Sequence, residues 1–88
     1  MTDLEINRLC AEAMKFVPPQ TTIGGVPWNP LVFDAQAMAL VKKFHIALGW
    51  NDPGWGAFRQ DTKKWVNDTD LNRAVCLAVA KMQQAKKP

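Results

Sequence analysis

Residues 28–44 read Trp28-Asn29-Pro30-Leu31-Val32-Phe33-Asp34-Ala35-Gln36-Ala37-Met38-Ala39-Leu40-Val41-Lys42-Lys43-Phe44, and we expect the other elements to pack around them. Proline has a fixed φ and no N–H, so Asn29-Pro30 predicts a turn. Asp34 follows at the start of a helix, where we expect its carboxylate to accept backbone N–H groups. Apolar residues then recur at three- and four-residue steps, the period of a core helix. They are Ala37, Met38, Leu40, Val41 and Phe44.

We call the loop side of this segment the clamp, and it comprises Trp28, Asn29, Pro30, Leu31 and Asp34. A proline turn that runs directly into an amphipathic helix fixes where the chain enters that helix. The clamp is therefore predicted to be structural, with Leu31 buried against the helix that it introduces.

The composition is that of a globular chain. It has 88 residues, of which 48% are hydrophobic and 22% are charged. A chain of this length buries about 60% of its unfolded surface in one core, which predicts a single domain spanning residues 1–88. No apolar run approaches the ~20 residues that span a bilayer. Asp3 and Glu5 stand where a secretory signal would carry basic residues, so we expect a cytoplasmic protein with no membrane partner.

Two further helices are expected at either end of the sequence. Thr2 and Glu5 form a capping box, and the apolar stripe that follows predicts a helix from about Asp3 to Phe16, ended by Pro18-Pro19. Residues 67–70 offer several N-cap side chains before the third stripe. That stripe comprises Leu71, Ala74, Val75, Ala78, Val79 and Met82.

The segments between the helices differ in character. Residues 17–33 hold four of the six prolines and Gly24-Gly25, which predicts a long loop with at most a short extended piece at residues 22–23. Alternation over residues 44–50 predicts a strand, with the helix giving way to the sheet near His45. A turn follows at residues 51–54, and residues 55–60 and 63–66 return as further strands. The fold class is α+β, in the order α-loop-α-β-β-β-α, with a two- or three-stranded antiparallel sheet.

Several of these features resemble one family. The N-terminal helix opens Thr2-Asp3-Leu4-Glu5, an aromatic-Asn-Pro-Leu turn precedes an acidic, Ala-rich helix, and the last helix opens Thr69-Asp70-Leu71-Asn72-Arg73-Ala74-Val75. Together they resemble the phage alpha-beta-alpha sandwich domain family of small bacteriophage and prophage proteins, over most of the chain. The chain departs from the family pattern after Leu31, where Val32-Phe33 and a single Asp34 replace a Thr and a pair of acids. The resemblance implies a phage-encoded accessory protein in the host cytoplasm.

The sequence contains no recognisable catalytic or metal-binding set. His45 is the only histidine, and the carboxylates are scattered over helix starts and turns. The glycine pairs lack the frame of a phosphate-binding loop. Cys10 and Cys76 are expected to be reduced core thiols, with a disulfide as the alternative that a reducing cytosol disfavours. We therefore predict no cofactor, no metal and no enzymatic activity.

Tryptophan is the compositional excess, and it predicts where a partner binds. The four tryptophans, Trp28, Trp50, Trp55 and Trp65, all lie in the loop or the strands. Strand alternation suggests that Trp55 and Trp65 point away from the face that holds Trp50. An exposed Trp beside a turn is typical of binding hot spots. We predict Trp55 as the anchor for a host or phage protein, such as a component of a host defence system, with Arg59 and Lys64 as a polar rim and Trp50 and Trp65 as further candidates.

Charge suggests a second function. Residues 1–41 carry two basic and four acidic side chains, whereas residues 42–88 carry nine basic and four acidic ones. A basic and aromatic surface can bind single-stranded nucleic acid. The residues concerned are Lys42, Lys43, Trp55, Phe58, Arg59, Lys63, Lys64 and Trp65. The plainer alternative is a solvated sheet edge, since a net charge of +3 is modest.

Overall fold

The structure is a computed structural model that describes residues 1–15, 22–23, 26–51, 54–59 and 63–86. Its helices are α1 (Asp3–Ala13), α2 (Asp34–Phe44) and α3 (Leu71–Ala85), and its strands are β1 (Thr22–Ile23), β2 (Val26–Pro27), β3 (Ala47–Asn51), β4 (Gly54–Arg59) and β5 (Lys64–Asp68). The α+β class is confirmed, with a three-stranded antiparallel sheet in the order β3-β4-β5. β1 and β2 form a separate antiparallel pair within the predicted loop.

Several element boundaries differ by a few residues from the prediction. α1 ends at Ala13 rather than near Phe16, because Lys15 already takes a left-handed conformation with φ 63°. β3 begins at Ala47, close to the predicted change from helix to sheet near His45, because α2 continues through Phe44 and His45 caps it with φ 54° and an N–H bonded to the Val41 carbonyl. Pro18-Pro19, Gly24-Gly25, residues 52–53 of the first predicted turn and residues 60–62 lie outside the described residues.

The central element is α3, not the segment 28–44. α3 packs against α1, α2, β4 and β5. Its buried residues face several sides of the helix, as expected for a helix that is enclosed on most of its surface. They are Ala74, Val75, Cys76, Ala78, Val79 and Ala80, and their small side chains let neighbouring elements approach closely. α2 buries only Ala37 and Leu40 among its residues, so its expected role as the organising helix is wrong.

The clamp is held by polar contacts to two helices. Gln36 accepts from the Asn29 backbone N–H at 2.6 Å and donates to the Pro27 carbonyl at 2.8 Å. Asn7 of α1 donates to the Asn29 side chain at 3.0 Å, and Trp28 donates to the Asn7 carbonyl at 3.1 Å. The clamp is therefore tied to α1 as well as to α2.

Packing within the clamp follows the prediction for one residue and modifies it for two. Pro30 is fully buried, whereas Leu31 is half-buried and packs against the edge of the core. Asp34 does not cap α2, because Phe33 occupies the N-cap position and Asp34 is already helical. The Asp34 carboxylate instead accepts a hydrogen bond from the Asn72 side chain of α3 at 2.8 Å.

Candidate functional site

The register of the sheet defines two faces. Directly paired residues share a face, and successive residues alternate. The pairs Leu48↔Ala57↔Val66 and Trp50↔Trp55 lie on the face that α3 covers, where Ala57 and Val66 join the core. We call the opposite side the open face. It carries Ala47, Gly49, Gly56, Phe58, Trp65 and Asn67.

Trp65 is the main side chain of the open face. Its ring lies across two glycines: a Cβ added at Gly56 would stand 2.8 Å from Trp65 Cε3, and one added at Gly49 would stand 3.5 Å from the ring. Phe58 supports it from the side, with ring centroids 5.2 Å apart. Despite these contacts, 51% of Trp65 is exposed. The glycines therefore form a shallow seat that holds a large aromatic ring at the surface.

A depression of about 300 Å³ adjoins this ring. It is lined by Gly49, Trp50, Gly56, Trp65 and Asn67. The lining is mostly aromatic ring and bare backbone, with one side-chain amide. Such a surface offers dispersion contacts and a hydrogen bond, and it contributes no charge.

Trp55 is not the exposed anchor that the sequence predicts. It lies directly opposite Trp50 in the β3–β4 ladder, so the two share a face rather than pointing apart. Their rings meet edge to face with centroids 5.1 Å apart. Trp55 is half-buried and packs against the core, whereas Trp50 is 59% exposed at the edge strand. Trp65 does lie on the opposite face from Trp50, as predicted.

Of the two residues predicted as a polar rim, Arg59 and Lys64, the structure exposes only Lys64. Arg59 is only 8% exposed, because alternation places it on the covered face with Ala57. Lys64 is exposed, and so is Lys63, which enters β5 with φ 58°. Among the described residues of the three strands and their connections, Lys63 and Lys64 are the exposed basic side chains.

The two cysteines belong to the interface between α1 and α3. Both are buried free thiols, and the Cys10 thiol donates to the Cys76 carbonyl at 3.4 Å. The hydrogen bond with Cys10, together with burial, raises the pKa of the Cys76 thiol. Since the thiolate is the reactive form, the raised pKa and the burial of Cys76 disfavour reaction at its sulfur.

Three acidic residues near the starts of α1 and α3 lie close to Arg73, although they are scattered in the sequence. Arg73 of α3 binds the carboxylates of Asp3 and Asp68, the latter at 3.3 Å. The hydrogen bond that Arg73 donates to Asp3 raises the pKa of Arg73. Asp70 caps α3, accepting from the Arg73 backbone N–H at 2.9 Å. Within the described ranges, no three His, Cys, Asp or Glu side chains are placed to hold a metal ion.

No protein-family model, curated protein or solved structure matches this chain. The resemblance to the phage family therefore rests on the motifs quoted above. Among the described helices, none is long and apolar enough to cross a bilayer.

Proposed function

We propose that this chain is a non-catalytic binding protein that recognises a protein partner through the open face, with Trp65 as the anchor. The observation that carries the proposal is a half-exposed tryptophan seated on Gly49 and Gly56 and supported by Phe58. A ring already held in place loses little rotamer freedom on binding, which lowers the entropic cost of association. Tryptophan is also among the residues that dominate binding energy at interfaces.

The charge of the open face favours a protein over a nucleic acid. Its six side-chain positions are uncharged, and Arg59 lies on the other face. Binding to a nucleic acid draws most of its affinity from several phosphate contacts, whereas the centre of a protein interface is poor in charge and rich in aromatic residues. Lys64 pairs with Arg59 and therefore belongs to the covered face, and Lys63, in the connection before β5, supplies too little charge for such an electrostatic term.

The proposal includes an origin and a setting. We infer from the motif resemblance that the chain is a phage-encoded accessory protein that acts in the host cytoplasm. Its partner is then a host or phage protein, such as a component of a host defence system. The absence of a recognisable catalytic set supports action by occupancy of the partner's surface rather than by turnover.

The test begins with recovery of the partner from host lysate on the tagged wild-type chain, its identification by mass spectrometry, and measurement of its Kd by calorimetry. Trp65→Ala should weaken that Kd tenfold or more, equivalent to about 1.4 kcal/mol. Leu4→Ala is the matched control, since Leu4 is an 81% exposed apolar side chain on α1. An unchanged Kd for Trp65→Ala would contradict the open face as the recognition surface.

A second candidate is single-stranded nucleic-acid binding, favoured by the exposed Lys63 and Lys64, which directly precede Trp65 in the chain. Titration with oligothymidylate and oligouridylate at increasing salt separates it from the first. We expect weak binding that disappears near physiological salt, with a log–log slope of about −0.7 for each phosphate contacted. Tight binding that survives physiological salt would make this candidate the leading one.

A further inference from the structure

A second surface lies on the helical side of the sheet. A groove of about 350 Å³ runs between α2, β3 and α3. Buried Ala37 and Val75 form its floor, Met38 and Leu71 form its walls, and Asp34 and Asp70 stand at its rim. The sheet separates this groove from the open face, so the two surfaces can be occupied independently.

The apolar part of the groove is accessible. Met38 is 43% exposed although it belongs to the apolar stripe of α2. Val32 and Phe33, which lead into the same helix, are also exposed. The volume is near the lower end of the range of about 300–1,000 Å³ for ligand sites. It suits one or two inserted side chains rather than a whole packed helix.

The charge at the rim is negative and is not neutralised by the nearest cation. Among the residues that the structure describes, Arg73 binds Asp3 and Asp68, whereas the carboxylates of Asp34 and Asp70 accept hydrogen bonds from neutral donors, the Asn72 amide and the Arg73 backbone N–H. The N-termini of α2 and α3 each contribute a partial positive charge of roughly half an elementary charge. Two full carboxylates exceed that contribution, so the rim attracts cations on a chain whose net charge is +3.

We propose that this groove docks a segment of a partner protein that inserts an apolar side chain flanked by lysine or arginine. The apolar side chain would lie between Met38 and Leu71, and the flanking cations would meet Asp34 and Asp70. Electrostatic complementarity of this kind orients a segment and speeds its encounter, while the buried apolar contact slows its release. The proposal does not depend on the function assigned to the open face.

The test uses the full 15N-labelled chain and three capped pentapeptides as probes. They are Arg-Arg-Leu-Arg-Arg, Arg-Arg-Ser-Arg-Arg and Glu-Glu-Leu-Glu-Glu. The first should give saturable amide shifts confined to residues 34–41 and 70–75, and the other two should bind at least about fivefold more weakly. Equal binding by the serine or the glutamate peptide, or shifts centred on Gly49, Gly56 and Trp65, would overturn the proposal.

Variants locate the interaction. Asp34→Asn should weaken binding of the arginine-leucine peptide about threefold, whereas Glu5→Gln, which removes one charge from α1, should leave it unchanged. Equal weakening by both would indicate diffuse charge attraction and overturn the proposal that the peptide binds in the groove.

Met38→Ala should also weaken binding of the arginine-leucine peptide about threefold, and it tests the apolar part of the groove should Asp34→Asn fail to fold. Shifts at residues 34–41 that grow with protein concentration alone would assign the groove to a second copy of this chain and overturn the proposal.

Discussion

The two faces of the sheet belong to the same strands and differ in nearly every other respect. On the covered face, Ala57 is completely buried beneath α3 and Trp55 closes the edge of the core. The residues on either side of Ala57 in the strand, Gly56 and Phe58, face the other way and hold Trp65 at the surface. Because side chains alternate along a strand, a step of one residue separates positions that stabilise the fold from positions free to contact a partner.

The largest expected difference between the faces comes from adding a charge to each. Ala57→Asp places an unpaired carboxylate under α3, which costs about 3–5 kcal/mol and so a large part of a stability of roughly 5–10 kcal/mol. Ala47→Asp is the matched change on the open face, where the carboxylate stays in water and the cost is about 0.5 kcal/mol. Urea denaturation followed by circular dichroism compares the two. Equal destabilisation would show that the open face is covered.

Trp55 and Trp65, one on each face, allow the same comparison with matched substitutions. Trp55→Ala removes a half-buried ring from the edge of the core and should cost roughly 2–4 kcal/mol. Trp65→Ala removes a ring that is already half in water, and its cost should be about 1 kcal/mol. Thermal melts report the stabilities, and partner Kd values report recognition. The assignment of the two faces would be reversed if Trp65→Ala lowered the melting temperature more than Trp55→Ala did.

The smallest effect tests the glycine seat itself. Gly56→Ala introduces a methyl group 2.8 Å from Trp65 Cε3, so the ring must shift outward, and we expect a cost of about 1 kcal/mol with weaker partner binding. Gly49→Ala is the control, because its methyl group would sit in ordinary contact at 3.5 Å and stability should change by less than about 0.5 kcal/mol. Both variants are compared by melting temperature and by partner Kd. Identical results for the two would mean that the seat does not position Trp65.

Local sequence patterns predicted the helices and strands, but they did not predict which side chains are buried and which are exposed. The stripe of α3 and the strand alternation are properties of neighbouring residues, and both correctly predicted the helix and the antiparallel sheet. Which tryptophan reaches solvent depends on strand register, and the sequence does not show that Trp50 faces Trp55. Arg59 was misplaced for the same reason, since a one-residue difference in phase moves a side chain to the opposite face.

Local sequence patterns also did not show which helix is central to the fold. An amphipathic stripe reports that a helix has one buried side, and α2 and α3 show similar stripes. The distinction lies in packing that the sequence does not show, because Ala74, Ala78 and Ala80 of α3 are all buried among several neighbouring elements, whereas α2 is also rich in alanine and buries only Ala37 of its alanines. The acidic groove was missed because Asp34 and Asp70 each had a local explanation as a helix cap, and only the packing of α2 on α3 brings them together.

The pairing of α1 with α3 has a consequence for biosynthesis. The earliest described helix packs against the latest one, and Ile6, Leu9 and Cys10 are buried in the core that the two share, so this packing cannot form until α3 has emerged from the ribosome. Contacts between distant parts of a chain form slowly, because the intervening loop must close first. The apolar side of α1 therefore lacks this packing until residues 71–85 have been synthesised. Their arrival adds the contacts of α3 with α1, α2, β4 and β5 together.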